Sequence, residues 1–158
     1  MKSIVIYYSY GGNTRHVAEK VAAEIGADLA EIETVKPYTG SYDHVVEQGQ
    51  KEVNSGFLPK IRQINADLSK YDTVILGTPV WWYTFAPAMN SFLHSADLSE
   101  KSVYPFATNG GWIGHTFKDF ENACKGASVH AGLNVRFNEE NQITSEDEIQ
   151  KWAKQIVK

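Results

Sequence analysis

Strand-like and helix-like segments alternate along the whole chain, and this alternation is the strongest constraint on the fold. Residues 3–8 form a continuous run of β-branched and aromatic side chains, which is typical of a strand buried on both faces of a parallel sheet. A turn with two glycines follows. Apolar residues then recur at helical spacing from Thr14, and Gly26 ends this helix. The chain therefore begins with a strand, a tight turn and an amphipathic helix.

The same pattern is repeated to the end of the chain. Further strands are predicted at residues 29–35, 73–78, 102–107 and 128–137, the last interrupted by Gly132. Further helices are predicted at about 43–54, 85–93 and 117–124, and from Ser145, where a capping box begins the last helix. Because each right-handed crossover must pack back onto the sheet, the pattern predicts an α/β fold, with a doubly wound parallel sheet of five strands and helices on both faces. With 158 residues and no linker or internal repeat, we expect a single domain over residues 1–158.

Composition narrows the functional classes. Apolar residues make up 42% of the chain and charged residues 22%, which argues against disorder, a coiled coil and a fibrous repeat. One cysteine cannot form an internal disulfide or a structural zinc site, and the five histidines show no metal-ligand spacing. The formal charge of −4, without a cluster of Lys or Arg, argues against nucleic acid. The N-terminal apolar run is too short for a signal peptide, and no segment reaches the roughly 20 apolar residues of a membrane span, so we expect a cytoplasmic protein with no membrane partner.

The turn after the first strand, residues 9–14, has the composition of a phosphate-binding loop. It offers consecutive backbone N–H groups at a helix N-terminus, two glycines, and the hydroxyls of Ser9 and Thr14. Helix N-termini attract anions, and glycine lets the backbone wrap closely around a phosphate. The segment is neither a Walker loop nor a GxGxxG loop, so it predicts a site for one terminal phosphate. The alternative is an ordinary tight turn into a helix.

Aromatic residues are concentrated in two further loops. Trp81, Trp82 and Tyr83 lie in a predicted loop, residues 79–83, directly after the third strand, and Trp112 follows two glycines after the fourth. Ligands of parallel sheets bind beyond the carboxyl ends of the strands, so these loops and the first loop are expected to face one site. Planar rings on two facing loops predict a slot for a planar heterocycle. The alternative is that each tryptophan caps the core.

Three motifs resemble those of the flavodoxin family. The segment Tyr8-Ser9-Tyr10-Gly11-Gly12-Asn13-Thr14 resembles its phosphate loop, Ser/Thr-x-Ser/Thr-Gly-x-Thr. The segment Gly77-Thr78-Pro79-Val80-Trp81-Trp82 resembles its second flavin loop, Gly-x-Pro-x-Trp-Trp, and Thr108-Asn109-Gly110-Gly111 resembles its third, Thr-x-Gly-Gly. The motifs stand in the expected order, and the strand–helix pattern agrees over essentially the whole chain. The resemblance implies a flavodoxin-like fold with strand order 2-1-3-4-5 and noncovalently bound FMN.

The resemblance also implies which residues bind FMN. The phosphate would be held by Ser9, Gly11, Gly12, Asn13 and Thr14. One side of the isoalloxazine and the ribityl chain would contact Thr78, Pro79, Val80, Trp81, Trp82 and Tyr83, and the other side Asn109, Gly110, Gly111 and Trp112. Gly11 departs from the family pattern, which has Ser or Thr there, so one hydroxyl donor worth on the order of 1 kcal/mol is lost. No catalytic side chain and no metal ligand is predicted.

Three functions are compatible with these features. The first is an electron carrier of the flavodoxin type, which passes electrons between redox partner proteins through FMN. The second is an NAD(P)H-dependent FMN reductase or quinone reductase that acts on a small-molecule electron acceptor; the absence of an evident acidic face favours it. The third is a cofactor-free interaction module, against which the intact loops argue. A response-regulator receiver is excluded, because Tyr8-Ser9 and Thr78-Pro79 stand where that class needs acidic residues. The oligomeric state is not indicated.

Overall fold

The computed structural model describes residues 2–157. The strands in this range are β1 (Ser3–Tyr7), β2 (Asp28–Glu31), β3 (Thr73–Trp81), β4 (Thr84–Phe85), β5 (Ser102–Asn109), β6 (Ser128–Val129), β7 (Leu133–Asn138) and β8 (Asn141–Gln142). The helices are α1 (Asn13–Ile25), α2 (Tyr42–Ser55), α3 (Pro87–Ser95), α4 (Thr116–Ala123) and α5 (Glu146–Ile156), with a short 3-10 helix at Leu68–Lys70.

The centre of the sheet is parallel and has the order β2-β1-β3-β5-β7. This is the predicted order 2-1-3-4-5, which is confirmed. Three short strands extend the five: β4 runs antiparallel to β3, β6 parallel to β5, and β8 antiparallel to β7. Tyr7 is paired with Gly77 and Pro79 with Thr108, so the carboxyl ends of β1, β3 and β5 lie side by side. The three loops predicted to form the site therefore leave the same edge of the sheet.

Two apolar layers lie on opposite faces of this sheet, as predicted. Successive side chains of a strand point to opposite faces, so Ile4 and Ile6 of β1 join one layer and Val5 the other. Helices α2, α3 and α4 cover the layer of Ile4 and Ile6, whereas α1 and α5 cover the layer of Val5. Burial on both faces explains why β1 reads as a continuous apolar run.

The second predicted strand is shorter in the structure, and the fifth is divided. The second strand ends at Glu31 instead of Val35, because the chain turns away to pair with residues 60–62; the N–H of Val35 donates to the carbonyl of Lys60 at 2.9 Å. The fifth is divided into β6 and β7 at the predicted interruption, Gly132. A Cβ at Gly132 would lie 2.5 Å from the ring of Phe117, so no larger residue fits there without displacement of that ring.

The prediction of a loop at residues 79–83 is wrong. Strand β3 continues through Trp81, and β4 pairs back onto it through Thr84 and Phe85. Phe85, expected in the third helix, thus lies in β4. Helix α3 begins at Pro87, and proline is tolerated there because the first N–H of a helix has no intrahelical acceptor. The segment is a hairpin with Trp82 and Tyr83 at its tip, which the sequence does not indicate because two-residue hairpin turns favour Asn and Gly.

Candidate functional site

The first loop presents a row of unpaired backbone donors at the start of α1. Within residues 2–157, no acceptor takes the N–H groups of Gly11, Gly12, Asn13 and Thr14. Gly11 and Gly12 have φ values of 86° and 101°, in the left-handed region that glycine adopts without strain. Four consecutive free N–H groups at a helix N-terminus form an anion site.

The side chains of the first loop hold its shape. The Oγ of Ser9 accepts the N–H of Arg15 at 3.1 Å, and the amide of Asn13 donates to the carbonyl of Glu139 at 2.9 Å. Thr14 is buried, and its hydroxyl shares a hydrogen bond of 2.8 Å with the hydroxyl of Thr108. Since Thr108 directly precedes Asn109, this bond ties the first loop to the third. Thr14 therefore offers an anion its N–H, while its hydroxyl is used within the protein.

The charged side chain that directly follows the first loop, Arg15, has an acidic partner. The guanidinium of Arg15 forms an ion pair with the carboxylate of Glu31 at the edge strand β2. The loop therefore attracts an anion with N–H dipoles and the helix macrodipole, without a lysine or arginine of its own.

The β3–β4 hairpin carries two strained aromatic residues at its tip. Trp82 and Tyr83 have φ values of 50° and 71°, a conformation that costs bulky side chains roughly 1–2 kcal/mol each. Specific bonds hold them there: the indole N–H of Trp82 donates to the carbonyl of Val46 at 3.0 Å, and the carbonyl of Tyr83 accepts the N–H of His115 at 2.8 Å. Such strain is found mostly at functional sites, where the surroundings maintain it.

The remaining residues of the second motif support the hairpin from inside. The buried hydroxyl of Thr78 accepts the N–H of Ala86 at 3.0 Å and donates to the carbonyl of Pro79 at 2.8 Å. Pro79 itself is half-buried within β3, opposite Thr108. Neither Thr78 nor Pro79 lines the cavity between the β3–β4 hairpin and the third loop.

Trp81 belongs to an aromatic cluster next to the hairpin. Its ring makes edge-to-face contacts with Tyr8, Tyr10 and Tyr38 at centroid distances of 6.0, 5.9 and 5.0 Å. A Cβ at Gly49 of α2 would lie 3.3 Å from the indole, so glycine allows this close approach. Trp81 lines a small cavity of about 310 Å³ together with Tyr10 and Trp82.

The third loop is shaped by its asparagine and glycines. The side-chain carbonyl of Asn109 accepts the N–H of Gly111 at 2.9 Å, and its amide donates to Asn134 at 2.6 Å. Gly111 and Gly114 have positive φ values of 131° and 59°. A Cβ at Gly114 would lie 2.3 Å from the carbonyl oxygen of Tyr83, so this position requires glycine for the loop to contact the hairpin. The side chain of Trp112 is 69% exposed beside this contact.

The β3–β4 hairpin and the third loop together form a cavity of about 610 Å³. It is lined by Val80, Trp82, Tyr83, Asn109, Gly110, Gly111, Trp112 and Arg136. The rings of Tyr83 and Trp112 lie 5.9 Å apart in an edge-to-face arrangement. We call this cavity the aromatic slot; it brings together the two loops that the sequence places opposite each other. The five predicted phosphate residues of the first loop lie outside the slot, next to it through the bond from Thr14 to Thr108.

Arg136 is the one lining residue of the slot that sequence reasoning missed. Its guanidinium nitrogen would lie 3.3 Å from a Cβ at Gly111, and it has no acidic partner in the part of the chain that the structure describes. It reaches the slot because β7 pairs with β5 in a register that sets Arg136 opposite Asn109. An arginine on an exposed strand position gives no sequence signal without this register.

Other titratable groups near the slot have structural partners. The imidazole Nδ1–H of His115 donates to the carboxylate of Asp119, which also accepts the hydroxyl of Thr84. These bonds fasten α4 to the hairpin.

Burial raises the pKa of the Cys124 thiol to about 11, so the thiol is protonated near neutral pH. Within the described residues, no three His, Cys, Asp or Glu side chains are grouped to hold a metal ion.

No helix within residues 2–157 has the length and apolar character needed to cross a membrane.

Comparisons with known proteins agree with this geometry. The family model for flavodoxin matches residues 2–156. A protein from Bacteroides eggerthii, provisionally classed as a flavoprotein, is 28% identical with a TM-score of 0.83, over 99% of this chain and 98% of that one. A flavoprotein from Lactobacillus acidophilus solved in complex with FMN is 23% identical with a TM-score of 0.77, over 96% of this chain and 98% of that one.

One curated relative carries a named activity class. The uncharacterized NAD(P)H oxidoreductase YcaK of Escherichia coli is 25% identical over 80 residues. The match covers 48% of this chain and 40% of the relative, so the chain spans less than half of the length of that protein.

Proposed function

The chain belongs to the flavodoxin family, and on that premise we propose that it binds FMN noncovalently and transfers electrons through it. The observation that carries the proposal is the row of four unpaired N–H groups, Gly11 to Thr14, next to an aromatic slot. A phosphate and a planar ring system joined by a short chain is the ligand that this combination fits.

The residues present are suited to the parts of FMN. Ser9, Gly11, Gly12, Asn13 and Thr14 would hold the phosphate, mainly through backbone N–H groups, and Ser9 keeps a hydroxyl proton to donate. Val80, Trp82, Tyr83, Asn109, Gly110, Gly111 and Trp112 would surround the ring. We assign Thr78, Pro79 and Trp81 a supporting role, because they fix the hairpin from behind.

When bound, FMN supplies the electron or hydride transfer, and the protein supplies orientation and surroundings. The rings of Tyr83 and Trp112, which contact each other at 5.9 Å, would offer apolar surface to the flavin. The free N–H groups of Gly110 and Trp112 can donate hydrogen bonds to the polar edge of a heterocycle, since no acceptor within residues 2–157 uses them. The guanidinium of Arg136 adds one positive charge to the slot.

An NAD(P)H-dependent reductase is the second candidate function. Two observations favour it: the similarity of half the chain to YcaK, and Arg136, which leaves the slot with an unpaired cation that an anionic substrate could use. The same site serves both functions, and the partner that delivers or accepts the electrons differs: a redox protein in the first case and a nicotinamide nucleotide in the second. A cytoplasmic location and a single domain over residues 1–158 are further parts of the proposal.

The experiment that tests the cofactor is a calorimetric titration of the flavin-free protein with FMN, riboflavin and FAD. We expect FMN to bind most tightly, because riboflavin lacks the phosphate and FAD adds an adenylate for which no fingerprint is present. Equal affinity for riboflavin would reject the role of the first loop. Steady-state assays with NADH and NADPH, with and without a quinone, then separate the two functions: turnover above the rate of free FMN supports the reductase, and its absence supports the carrier.

A further inference from the structure

A cavity of about 780 Å³ lies outside the aromatic slot, between α2 and the two segments 35–39 and 57–60. None of the three flavin-loop motifs lies in this part of the chain. Tyr38 lies in its wall and separates it from Trp81, whose ring is 5.0 Å away. We call it the lysine-rimmed cavity, because Lys36, Lys51 and Lys60 are exposed around it.

The walls of this cavity are joined by hydrogen bonds. The N–H of Val35 donates to the carbonyl of Lys60 at 2.9 Å, which connects the two segments. The hydroxyl of Tyr38 donates to Glu52 of α2 at 2.5 Å. The buried hydroxyl of Ser91 donates to the carbonyl of Pro59 at 2.6 Å, which fixes the second segment to α3. The cavity is therefore formed before any ligand arrives.

Its surface offers an apolar area to a ligand. The ring of Tyr38 and the ring of Pro59 are buried in the wall, whereas Phe57 is 52% exposed and Val35 45% exposed. Exposed aromatic and β-branched side chains that line a concave surface suit a flat apolar body.

The charges around the cavity favour an anion. None of Lys36, Lys51 and Lys60 has an ion-pair partner in the part of the chain that the structure describes. Both carboxylate oxygens of Glu52 are engaged by neutral donors, the hydroxyl of Tyr38 and the amide of Gln48. Among the lining residues, Glu47 is the one exposed acid. Glu52 keeps its charge despite these bonds, so three lysines lie against two acids, a local excess of one positive charge in a chain whose formal net charge is −4.

We propose that the lysine-rimmed cavity binds an aromatic carboxylate. The ring system lies against Tyr38 and Phe57, and the carboxylate lies among the ammonium groups of the rim. This site is separate from the aromatic slot, and the proposal does not depend on the binding of FMN.

The probe for the test is naphthalene-2-carboxylate, titrated by calorimetry into the full chain with and without FMN. We expect saturable binding that is unchanged by FMN. The neutral analogue 2-naphthylmethanol should bind on the order of tenfold more weakly, because it lacks the charge that the lysines attract. Amide chemical shifts should change at Phe57, Leu58 and Lys60 and along α2, and stay constant at Asn109 to Trp112.

Substitutions give the matched comparison. Lys51→Gln and Lys60→Gln should each weaken the binding of the carboxylate several-fold, and Phe57→Ala should weaken both probes. Lys125→Gln is the control, since Lys125 is an exposed lysine just after α4 and outside the cavity, with no ion-pair partner within residues 2–157.

Several results would overturn the proposal. The first is an affinity for 2-naphthylmethanol equal to that for the carboxylate, and the second is an equal effect of Lys51→Gln and Lys125→Gln on the affinity for the carboxylate. The third is the absence of saturation up to about 1 mM carboxylate, and the fourth is displacement of the carboxylate by FMN. Displacement would place the probe in the aromatic slot. If instead FMN itself fails to bind, the proposed function fails while the calorimetric result for the carboxylate still decides the proposal for this cavity.

Discussion

The carbonyl oxygen of Tyr83 accepts the backbone N–H of His115 at 2.8 Å, and this bond joins the tip of the β3–β4 hairpin to the third loop. The contact is close because Gly114 has no side chain; a Cβ there would lie 2.3 Å from the same oxygen. The positions of the rings of Tyr83 and Trp112 thus depend on a backbone contact between two loops. The width of the aromatic slot should be sensitive to changes at this contact.

We expect Gly114→Ala to weaken FMN binding at least tenfold, or about 1.4 kcal/mol, while the protein still folds. The added methyl group forces the third loop away from the hairpin and widens the slot. Gly26→Ala is the control: Gly26 also has a positive φ, 68°, but a Cβ there meets nothing within 4 Å. Both variants lose stability through backbone strain, and only Gly114→Ala should change the dissociation constant measured by flavin fluorescence. Equal affinities of the two variants would contradict the role of this contact.

Trp112→Ala should weaken FMN binding on the order of tenfold with little change in the melting temperature. The ring is 69% exposed and lies at a loop end, so its removal leaves the core intact, while an aromatic contact contributes roughly 0.5–1.5 kcal/mol beyond buried area. Phe57→Ala, at an exposed aromatic residue outside the slot, serves as the comparison and should leave FMN affinity unchanged. Quenching of tryptophan fluorescence on FMN binding should also decrease in Trp112→Ala. If affinity and quenching are unaffected, Trp112 is not a wall of the FMN site.

Much of the fold could be predicted because its signals are local. The apolar run of β1 reflects burial of that strand on both faces. The capping box at Ser145 predicts the start of the last helix, and the hydroxyl of Ser145 accepts the N–H of Glu148 at 3.2 Å. The first and third loops could be predicted for the same reason, since each directly follows a strand.

The unpredicted features depend on pairing between distant segments. The turn at Trp82 and Tyr83 lacks the residues of a tight hairpin, and it is held by bonds to Val46 and His115, which are remote in the sequence. Arg136 reaches the slot through the register of β7 on β5. Trp81 and Trp82 are adjacent in the sequence and were predicted to share one wall, yet only Trp82 lines the slot, because alternation along β3 directs Trp81 toward Tyr38.

Trp81→Ala should destabilise the protein by about 2–4 kcal/mol, because it removes a half-buried ring with three aromatic neighbours and leaves a cavity. This is the reverse of the expectation for Trp112→Ala, where binding is lost and stability is kept. Urea denaturation of both flavin-free variants measures the difference. A free energy of unfolding for Trp81→Ala within about 0.5 kcal/mol of the parent protein would show that the aromatic cluster contributes little.

Stability should fall as the pH rises from about 9 to about 11, partly through Cys124. Burial raises the pKa of its thiol to about 11, so in this range the unfolded chain loses the proton first while the folded chain keeps it. The folded state then binds more protons than the unfolded state, and the free energy of unfolding decreases with pH, by at most roughly 2–3 kcal/mol from this group. Buried Tyr8 and Tyr38, whose pKa values burial also raises, add to the decrease at higher pH. Denaturation of the parent and of Cys124→Ala at several pH values isolates the thiol: the difference between them should shrink from pH 9 to 11, and a constant difference would contradict the assignment.

Arg136→Gln should lower the midpoint potential of bound FMN and leave its affinity within about threefold of the parent. A guanidinium in the slot favours electrons added nearby, and at the partly exposed side of a protein one such charge is worth about 1 kcal/mol, or roughly 20 mV for a two-electron couple. Arg62→Gln removes the same charge from an exposed position outside the slot and should shift the potential by less than half as much. The shift from Arg136→Gln should also be smaller at high salt, because ions screen a charge that water reaches. If both variants shift the potential equally, the effect belongs to the net charge of the protein and Arg136 has no particular role in the slot.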